Sequence, residues 1–298
     1  MRYLSAGQAA ESRRAVARPV DRARVRIRFG DGDATDLRAA LGAYQNDDGG
    51  YGRALEPDLR LPDSSSTATT VAFQHLRAAG ADDTWPEVRR GVEYLLATWD
   101  PSVPGWHPTP PEVDDHPHAP WWTYRGPPTE FAANPGAEAY AVLLRHAALA
   151  PGAALTEIGA AVEGALARCG DEVEPHEMLC WMRLAAEAPE PLADRIVAAL
   201  RRALPSVLTV DPAQWDAYAP GPLWFAATPE SPLFDDVADH VAAHLDHLIA
   251  RRAPDGRWLP AWTWGADPAW PRARDEWASA LTVDALTSLA SYGRIETA

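Results

Sequence analysis

The sequence predicts an all-α protein, and two observations carry that prediction. Apolar residues recur at intervals of three and four along most of the chain, as on one face of an α-helix. Alternation of apolar and polar residues, which is typical of a half-buried strand, is not sustained over any segment. Long proline-rich loops are expected between the helices at 99–132, 205–234 and 253–274. Loops of that length are uncommon unless they serve a function.

The individual helices are predicted from their apolar faces and end signals. The arginine-rich residues 15–28 are expected to form a helix with a solvated basic face. Serines at 64–66 cap a helix that ends at Gly80, and Asn134-Pro135 starts another, because Asn favours the N-cap and Pro the first helical position. The remaining predicted helices, which bring the total to about ten or eleven, lie near 37–44, 88–99, 154–168, 173–187, 190–204, 235–252 and 275–291.

Composition and charge exclude several classes of function. The net charge of -15 argues against nucleic acid, where Lys and Arg at phosphates supply the affinity, and against an anionic membrane surface. All 27 basic residues are arginine, which excludes Schiff-base lysines and the phosphate-loop lysine. Cys169 and Cys180 form no C-x-x-C pattern, and no apolar run reaches about 18 residues. We therefore expect a cytoplasmic protein with no integral membrane segment.

A turn motif occurs twice in the same frame of helix, turn, loop and helix. Residues 44–52 contain Asp-Asp-Gly-Gly followed by Tyr51, and residues 255–258 contain Asp-Gly-Arg followed by Trp258. A fainter third copy lies at 99–106. The Asp-Gly pair makes a tight turn, because Gly tolerates positive φ, and the aromatic residue is expected to fold back between neighbouring helices.

This Gln-x-x-Asp-Gly-Gly-aromatic-Gly unit resembles the repeat of the prenyltransferases and squalene-type terpenoid cyclases. The resemblance covers residues 44–80 and 251–293. For the residues between these two segments it rests on the number of helices alone. It implies one α/α toroid domain over residues 1–298, in which helical hairpins enclose a pocket at one mouth. The expected partner is a small apolar or isoprenoid ligand. The resemblance also allows for a homodimer, because class II cyclases place their site between two toroids.

The acidic segment 112–115 supplies the first candidate catalytic residues, Asp114 and Asp115. Class II cyclases carry D-x-D-D, whose middle Asp is protonated and donates its proton to an alkene. The resemblance implies that role for Asp114, although Glu112 replaces the first Asp. Neighbouring carboxylates resist joint ionisation, which favours a protonated form. The alternative is a solvated acidic loop.

A second acidic pair, Glu56 and Asp58, lies two residues apart on a proline-containing loop. Such a pair can serve as acid and base, or bind a metal. The alternative is helix capping with an ion pair to Arg60. Three histidines also share one helix face at a spacing that zinc can use, although a solvated polar face is the favoured explanation: they are His240, His244 and His247.

Two aromatic-rich segments are candidate ligand-binding regions. The first supplies His118, Trp121, Trp122 and Tyr124. The second supplies Trp262, Trp264, Glu276 and Trp277. Aromatic faces wall apolar pockets, stabilise cations and stack on sugars. The alternatives are that these rings plug the end of the barrel, and that Glu276 is held at a helix start by the helix dipole.

The sequence favours an isoprenoid-handling protein and leaves two alternatives open. One is a carbohydrate-active α/α-barrel hydrolase or lyase, which would use paired carboxylates and Trp platforms. The other is a binding toroid without catalysis. No motif indicates a cofactor or a metal site, and Mg²⁺ is left open as a cofactor.

Overall fold

The computed structural model describes residues 1–297, and over that range the protein is all-helical, as predicted. β-Pairing in those residues is limited to isolated bridges. The twelve α-helices of the described chain are α1 (Ala6–Ala15), α2 (Pro19–Arg28), α3 (Ala34–Gly42), α4 (Ser66–Ala78), α5 (Pro86–Ala97), α6 (Ala133–Arg145), α7 (Gly152–Arg168), α8 (Pro175–Ala185), α9 (Leu192–Val207), α10 (Pro222–Phe225), α11 (Phe234–Ala250) and α12 (Trp270–Ser291).

The chain divides into two compact units, which we call the terminal unit and the central unit. The terminal unit comprises Met1–Asp33 and the chain from Val207 onward, with α1, α2 and α10 to α12. Within it, α12 packs against α1 and α2, and α10 packs against α11. The central unit is Ala34–Ser206, where α6 packs between α4 and α8. The single domain over residues 1–298 stays a prediction.

The predicted helix starts are confirmed at α4 and shifted at α12. Ser65 has extended backbone, and its side chain accepts a hydrogen bond from the Ala68 amide, as an N-cap does. In contrast, α12 begins at Trp270, five residues before the predicted start. Asp275 and Glu276 therefore lie in its second turn, beyond the reach of the helix dipole, so the dipole explanation is wrong.

The first copy of the repeat forms a closed turn in the central unit. Gly49 has φ of 90°, and the Asp48 carboxylate accepts the Gly50 amide at 3.0 Å. Tyr51 is fully buried, and its amide donates to the Thr69 hydroxyl on α4 at 3.0 Å. The turn is thus tied by one side chain to the helix that follows it.

The second copy, in the terminal unit, repeats these interactions. Gly256 has φ of 90°, and the Asp255 carboxylate accepts the Arg257 amide at 3.1 Å. The amide of Trp258, which is 4% exposed, donates to the Thr282 hydroxyl on α12 at 3.1 Å. The predicted alignment of the two copies is therefore confirmed at the level of individual hydrogen bonds.

The fainter third copy at 99–106 shares part of this pattern. The Asp100 amide donates to the Gly105 carbonyl at 3.0 Å, and Trp106 is fully buried. Its indole N–H donates to the Leu95 carbonyl at 2.8 Å, much as the Trp258 indole donates back into the preceding helix at 2.7 Å. The aromatic residue in each copy is buried, as expected from the sequence.

Candidate functional site

Two loops of the central unit that the sequence marked separately lie side by side. The Arg60 amide donates to the Pro117 carbonyl at 3.1 Å, and the Ala119 amide donates to the Asp58 carbonyl at 2.8 Å. These bonds join residues 53–60 to residues 111–124, and we call the two segments the paired loops. The sequence-predicted residues Glu56, Asp58, Asp114, Asp115, His118, Trp121, Trp122 and Tyr124 all belong to them.

The first of the paired loops holds two buried carboxylates on a strained backbone. Glu56 is 8% exposed and Asp58 is 3% exposed, and both have interaction partners within the chain. Just before them, Arg53 and Ala54 have φ of 56° and 62°. Consecutive non-glycine residues at positive φ are uncommon, and such strain clusters at functional sites. The buried acids are the best-placed candidates in the paired loops for acid–base chemistry.

Asp114, the proton donor that the resemblance implies, lies in a half-exposed position on the second of the paired loops. It lies within the 3-10 helix Pro111–Asp115, its side chain is 48% exposed, and its Oδ1 accepts the Tyr124 amide at 3.0 Å. His118 Nε2 is 3.6 Å from the same oxygen. Asp115 is exposed as well. The interactions of Asp114 therefore fit a role in shaping the second loop.

The aromatic residues of the second loop divide into a packed pair and an exposed ring. Trp122 and Tyr124 pack against a buried apolar cluster formed by Leu59, Leu61 and Val113. The Trp122 indole nitrogen is buried and has no hydrogen-bond partner within residues 1–297. Trp121 is 48% exposed. An unsatisfied buried N–H costs free energy.

His118 is held in place between these side chains. Its Nδ1 lies 2.8 Å from the His116 carbonyl oxygen, and its Nε2 lies 3.2 Å from the Thr123 hydroxyl. The carbonyl can only accept, so Nδ1 carries the proton in this bond. His118 is thus oriented at the junction of the paired loops, close to Asp114 and to the backbone of Asp58.

A second group of aromatic residues lies within the terminal unit, and we call it the aromatic row. Edge-to-face contacts join Trp224 to Tyr218 at 5.4 Å, Tyr218 to Trp262 at 5.1 Å, and Trp262 to Trp277 at 5.1 Å between ring centroids. Trp264 is 6% exposed. The sequence marked Trp262 and Trp277 but missed the other two members, whose only signal was their place in a long proline-rich loop.

The carboxylates beside this row are ion-paired. Glu276 Oε1 accepts from Arg272 at 3.0 Å, one turn away on α12. Asp275 pairs with Arg257 of the repeat turn at 3.2 Å. These pairs replace the helix-dipole explanation for the two acids, and they connect the second repeat copy to α12.

The three histidines of α11 do not form one solvated face. His240 is exposed, but the ring of His244 stacks on Trp215 with centroids 4.4 Å apart, and its Nδ1 accepts the Leu223 amide at 3.0 Å. Burial first, and then the neighbouring His247, lower the pKa of His244 to about 4. The prediction of a polar solvated face is wrong for His244, because residues 215–223 cover it.

A buried polar cluster joins the three central helices α4, α6 and α8. Glu138 is 5% exposed, and its carboxylate accepts from Gln74 at 2.8 Å and from Arg183 at 2.9 Å. The Cys180 thiol lies 3.8 Å from the same carboxylate and 3.7 Å from the Asn134 side-chain oxygen. Burial and then Glu138 raise the pKa of this thiol, which keeps it protonated and unreactive. The cluster fits a structural role.

Within residues 1–297, no group of three His, Cys, Asp or Glu side chains is arranged to hold a metal ion. The same residues contain no helix with the length and apolarity needed to cross a membrane. Compared with models of known protein families and with curated protein sequences, the chain matches none of them.

Proposed function

We propose that the chain is an α/α-toroid protein of the terpenoid cyclase and prenyltransferase type that binds an isoprenoid or a similarly apolar small molecule. The observation that carries the proposal is the repeat. Both copies place Asp-Gly in a turn with φ of 90°, bury the following aromatic residue, and bond its amide to a helix threonine. This shared construction supports the resemblance that the sequence motif indicates.

The paired loops are the proposed binding site for that ligand. Trp122 and Tyr124 lie on an apolar cluster, and the partly exposed Trp121 lies beside them. Such rings offer apolar contact area and favourable interaction with a developing carbocation. Should the protein catalyse cyclisation, Glu56 and Asp58 are the proposed source of acid or base, because they are buried whereas Asp114 and Asp115 face solvent.

The aromatic row and Glu276 are proposed as a separate ligand-contacting surface within the terminal unit. The Trp277 indole nitrogen is buried without a partner in the described chain, as is that of Trp122. Each offers one hydrogen-bond donor next to aromatic rings. A cytoplasmic location stays part of the proposal, supported by the free thiols Cys169 and Cys180.

A carbohydrate-active enzyme is the second candidate, and one observation favours it. Two buried carboxylates, Glu56 and Asp58, share a strained loop that is bonded to the loop carrying the exposed Trp121. Glycosidases combine a carboxylate pair with substrate contacts that distort the sugar ring. Trp121 would then serve as the stacking platform.

Ligand-dependent thermal stability separates the two candidates. The panel contains farnesyl diphosphate with and without Mg²⁺, farnesol, and neutral and acidic disaccharides. A ligand at a hundredfold excess over its Kd stabilises the folded state by roughly 2.7 kcal/mol, which raises the Tm of a chain of this size by roughly 4 °C. We expect the isoprenoids to give this shift. A shift with the disaccharides alone would reject the isoprenoid proposal in favour of the second candidate.

A further inference from the structure

Residues 209–223 of the terminal unit form a closed loop that we call the flap. The Thr209 amide donates to the Pro220 carbonyl at 2.9 Å, which brings the two ends of the flap together. Trp215 is 5% exposed, and its indole N–H donates to the Thr209 carbonyl at 2.8 Å. Compact loops that are closed at the base and filled by their own side chains are frequently functional. Because these bonds lie within the flap, it can move as one body.

The flap is seated on one side chain of α11, His244. The His244 ring stacks on Trp215 with the centroids 4.4 Å apart, and its Nδ1 accepts the Leu223 amide at 3.0 Å. At Gly221 the flap backbone lies so close that a Cβ there would clash with the same ring. Since Nδ1 accepts a hydrogen bond, the seated flap requires the neutral ring, with its proton on Nε2.

The charged groups that face His244 disfavour an added positive charge at this place. The His247 ring lies 6.1 Å from the His244 ring, and the Arg251 guanidinium donates to two backbone carbonyls of the flap at 3.3 Å. The Asp216 carboxylate supplies an opposite charge 3.6 Å from His247 Nε2, but it is 80% exposed and screened by solvent. Helix α10 and the turn at 212–214 also pack against α11, and neither carries a titratable side chain.

We propose that the flap is an acid-operated latch, which the neutral ring of His244 holds on α11 and which protonation of that ring releases. An imidazolium has no lone pair for the Leu223 amide, so two N–H donors would face each other. Tyr218 lies in the flap, and its ring contacts those of Trp224 and Trp262 in the aromatic row. Release of the flap therefore separates Tyr218 from Trp262. The inference holds whether or not the aromatic row binds a ligand.

The direction and size of the response follow from the two states of the flap. In the seated flap, burial and then His247 lower the pKa of His244 to about 4. In the released flap the ring returns to water, where its pKa is the ordinary 6.5. Because the seated form has the lower pKa, it is fully favoured above pH 6.5 and is lost as the pH falls towards 4. Proton linkage then raises the ratio of released to seated flap about twentyfold between pH 7 and pH 5.

Hydrogen exchange of the full-length protein, read by mass spectrometry at pH 5, 6 and 7, tests the latch. Protection factors are corrected for the pH dependence of intrinsic exchange. We expect protection of residues 209–223 to fall about twentyfold from pH 7 to pH 5. The control segment is 44–52, a closed turn of the central unit without histidine, whose protection should stay constant.

Three variants assign the response to the contact with His244. His244→Asn replaces the ring by an amide that does not titrate and whose oxygen can take the place of Nδ1, so protection should change less than about twofold. His240→Asn alters an exposed histidine of the same helix and should keep the wild-type response. Gly221→Ala adds the clashing methyl, so the flap should already be poorly protected at pH 7.

Four results would overturn the proposal. Equal protection of the flap at pH 5 and pH 7 in the wild type would exclude an acid-operated release. A parallel loss of protection in residues 44–52 would show general acid unfolding. A full response in His244→Asn would place the controlling proton on another group. Wild-type protection in Gly221→Ala at pH 7 would show that the contact with the ring does not hold the flap.

Discussion

Replacing His244 by Gln is expected to remove a large part of the acid sensitivity of the terminal unit. In the folded protein the ring lies against Trp215, and its Nδ1 accepts the Leu223 amide at 3.0 Å. A protonated ring cannot accept that bond, and it would place a charge next to His247, whose ring centroid is 6.1 Å away. Two other charged groups lie close to these rings. The Asp216 carboxylate is 3.6 Å from His247 Nε2, and the Arg251 guanidinium is 3.8 Å from the same carboxylate.

The expected magnitude follows from the two pKa values of His244. Folding lowers the pKa from 6.5 to about 4, which corresponds to about 3 kcal/mol at 1.36 kcal/mol per unit. Because the folded pKa is depressed, the unfolded chain binds the proton first. The stabilisation by the neutral ring is therefore fully present above pH 6.5. It is lost progressively as the pH falls towards 4, with a slope of at most about 1.4 kcal/mol per pH unit.

Urea unfolding between pH 4.5 and 7.5, followed by tryptophan fluorescence, measures this effect. Carboxylates titrate in wild type and variant alike, so the difference between the two stability curves isolates the histidine. His244→Gln should flatten the curve in this window. His240→Gln, which alters an exposed residue of the same helix, should not. Equal slopes for wild type and His244→Gln would refute the reasoning.

Further predictions concern the repeat and the buried ion pair. Thr69→Ala and Thr282→Ala should each lower the free energy of unfolding by about 1–2 kcal/mol, because each leaves a buried backbone N–H without its acceptor; unequal costs, seen by chemical denaturation, would argue against equivalent copies. Gly49→Ala should lower the free energy of unfolding by about 3 kcal/mol and Gly256→Ala by about 1 kcal/mol. The added methyl meets a backbone carbonyl oxygen at 2.3 Å in the first case, but a flexible guanidinium at 3.0 Å in the second. The reverse order of Tm values would contradict this. Glu138→Ala should cost about 3 kcal/mol by removing the buried partner of two donors, and Glu138→Gln should cost less; unchanged denaturation midpoints would exclude a structural role.

The helices and the repeat could be predicted from the sequence because their signals are local. Ser65 caps α4 through its own side chain, and Asp48-Gly49 makes its turn within four residues. Thr69 and Thr282 could not be recognised in the same way. Each lies on the helix that follows the turn, and its bond to the buried aromatic residue exists only once that helix has packed.

The candidate site shows the same division between local and tertiary information. The sequence marked Asp58 and Asp114 by residue type and spacing, but their opposite exposure depends on packing that no local pattern encodes. Residues 53–60 pair with residues 111–124, which are far away in the sequence, and no sequence pattern in either segment indicates this pairing. The contact between Tyr218 and Trp262 could not be predicted either, because it forms only in the folded chain and no periodicity in the sequence indicates it.

Equilibrium binding of farnesol to wild-type protein and to two matched variants tests the central claim most directly. Trp121→Ala removes a side chain of the paired loops that is 48% exposed, and Tyr3→Ala removes an aromatic side chain elsewhere that is 47% exposed, so neither change disturbs a core. If the paired loops bind an isoprenoid, farnesol binds wild type and Tyr3→Ala alike and binds Trp121→Ala about tenfold more weakly. Failure of farnesol to bind wild type, or equal binding to Trp121→Ala, would contradict the account.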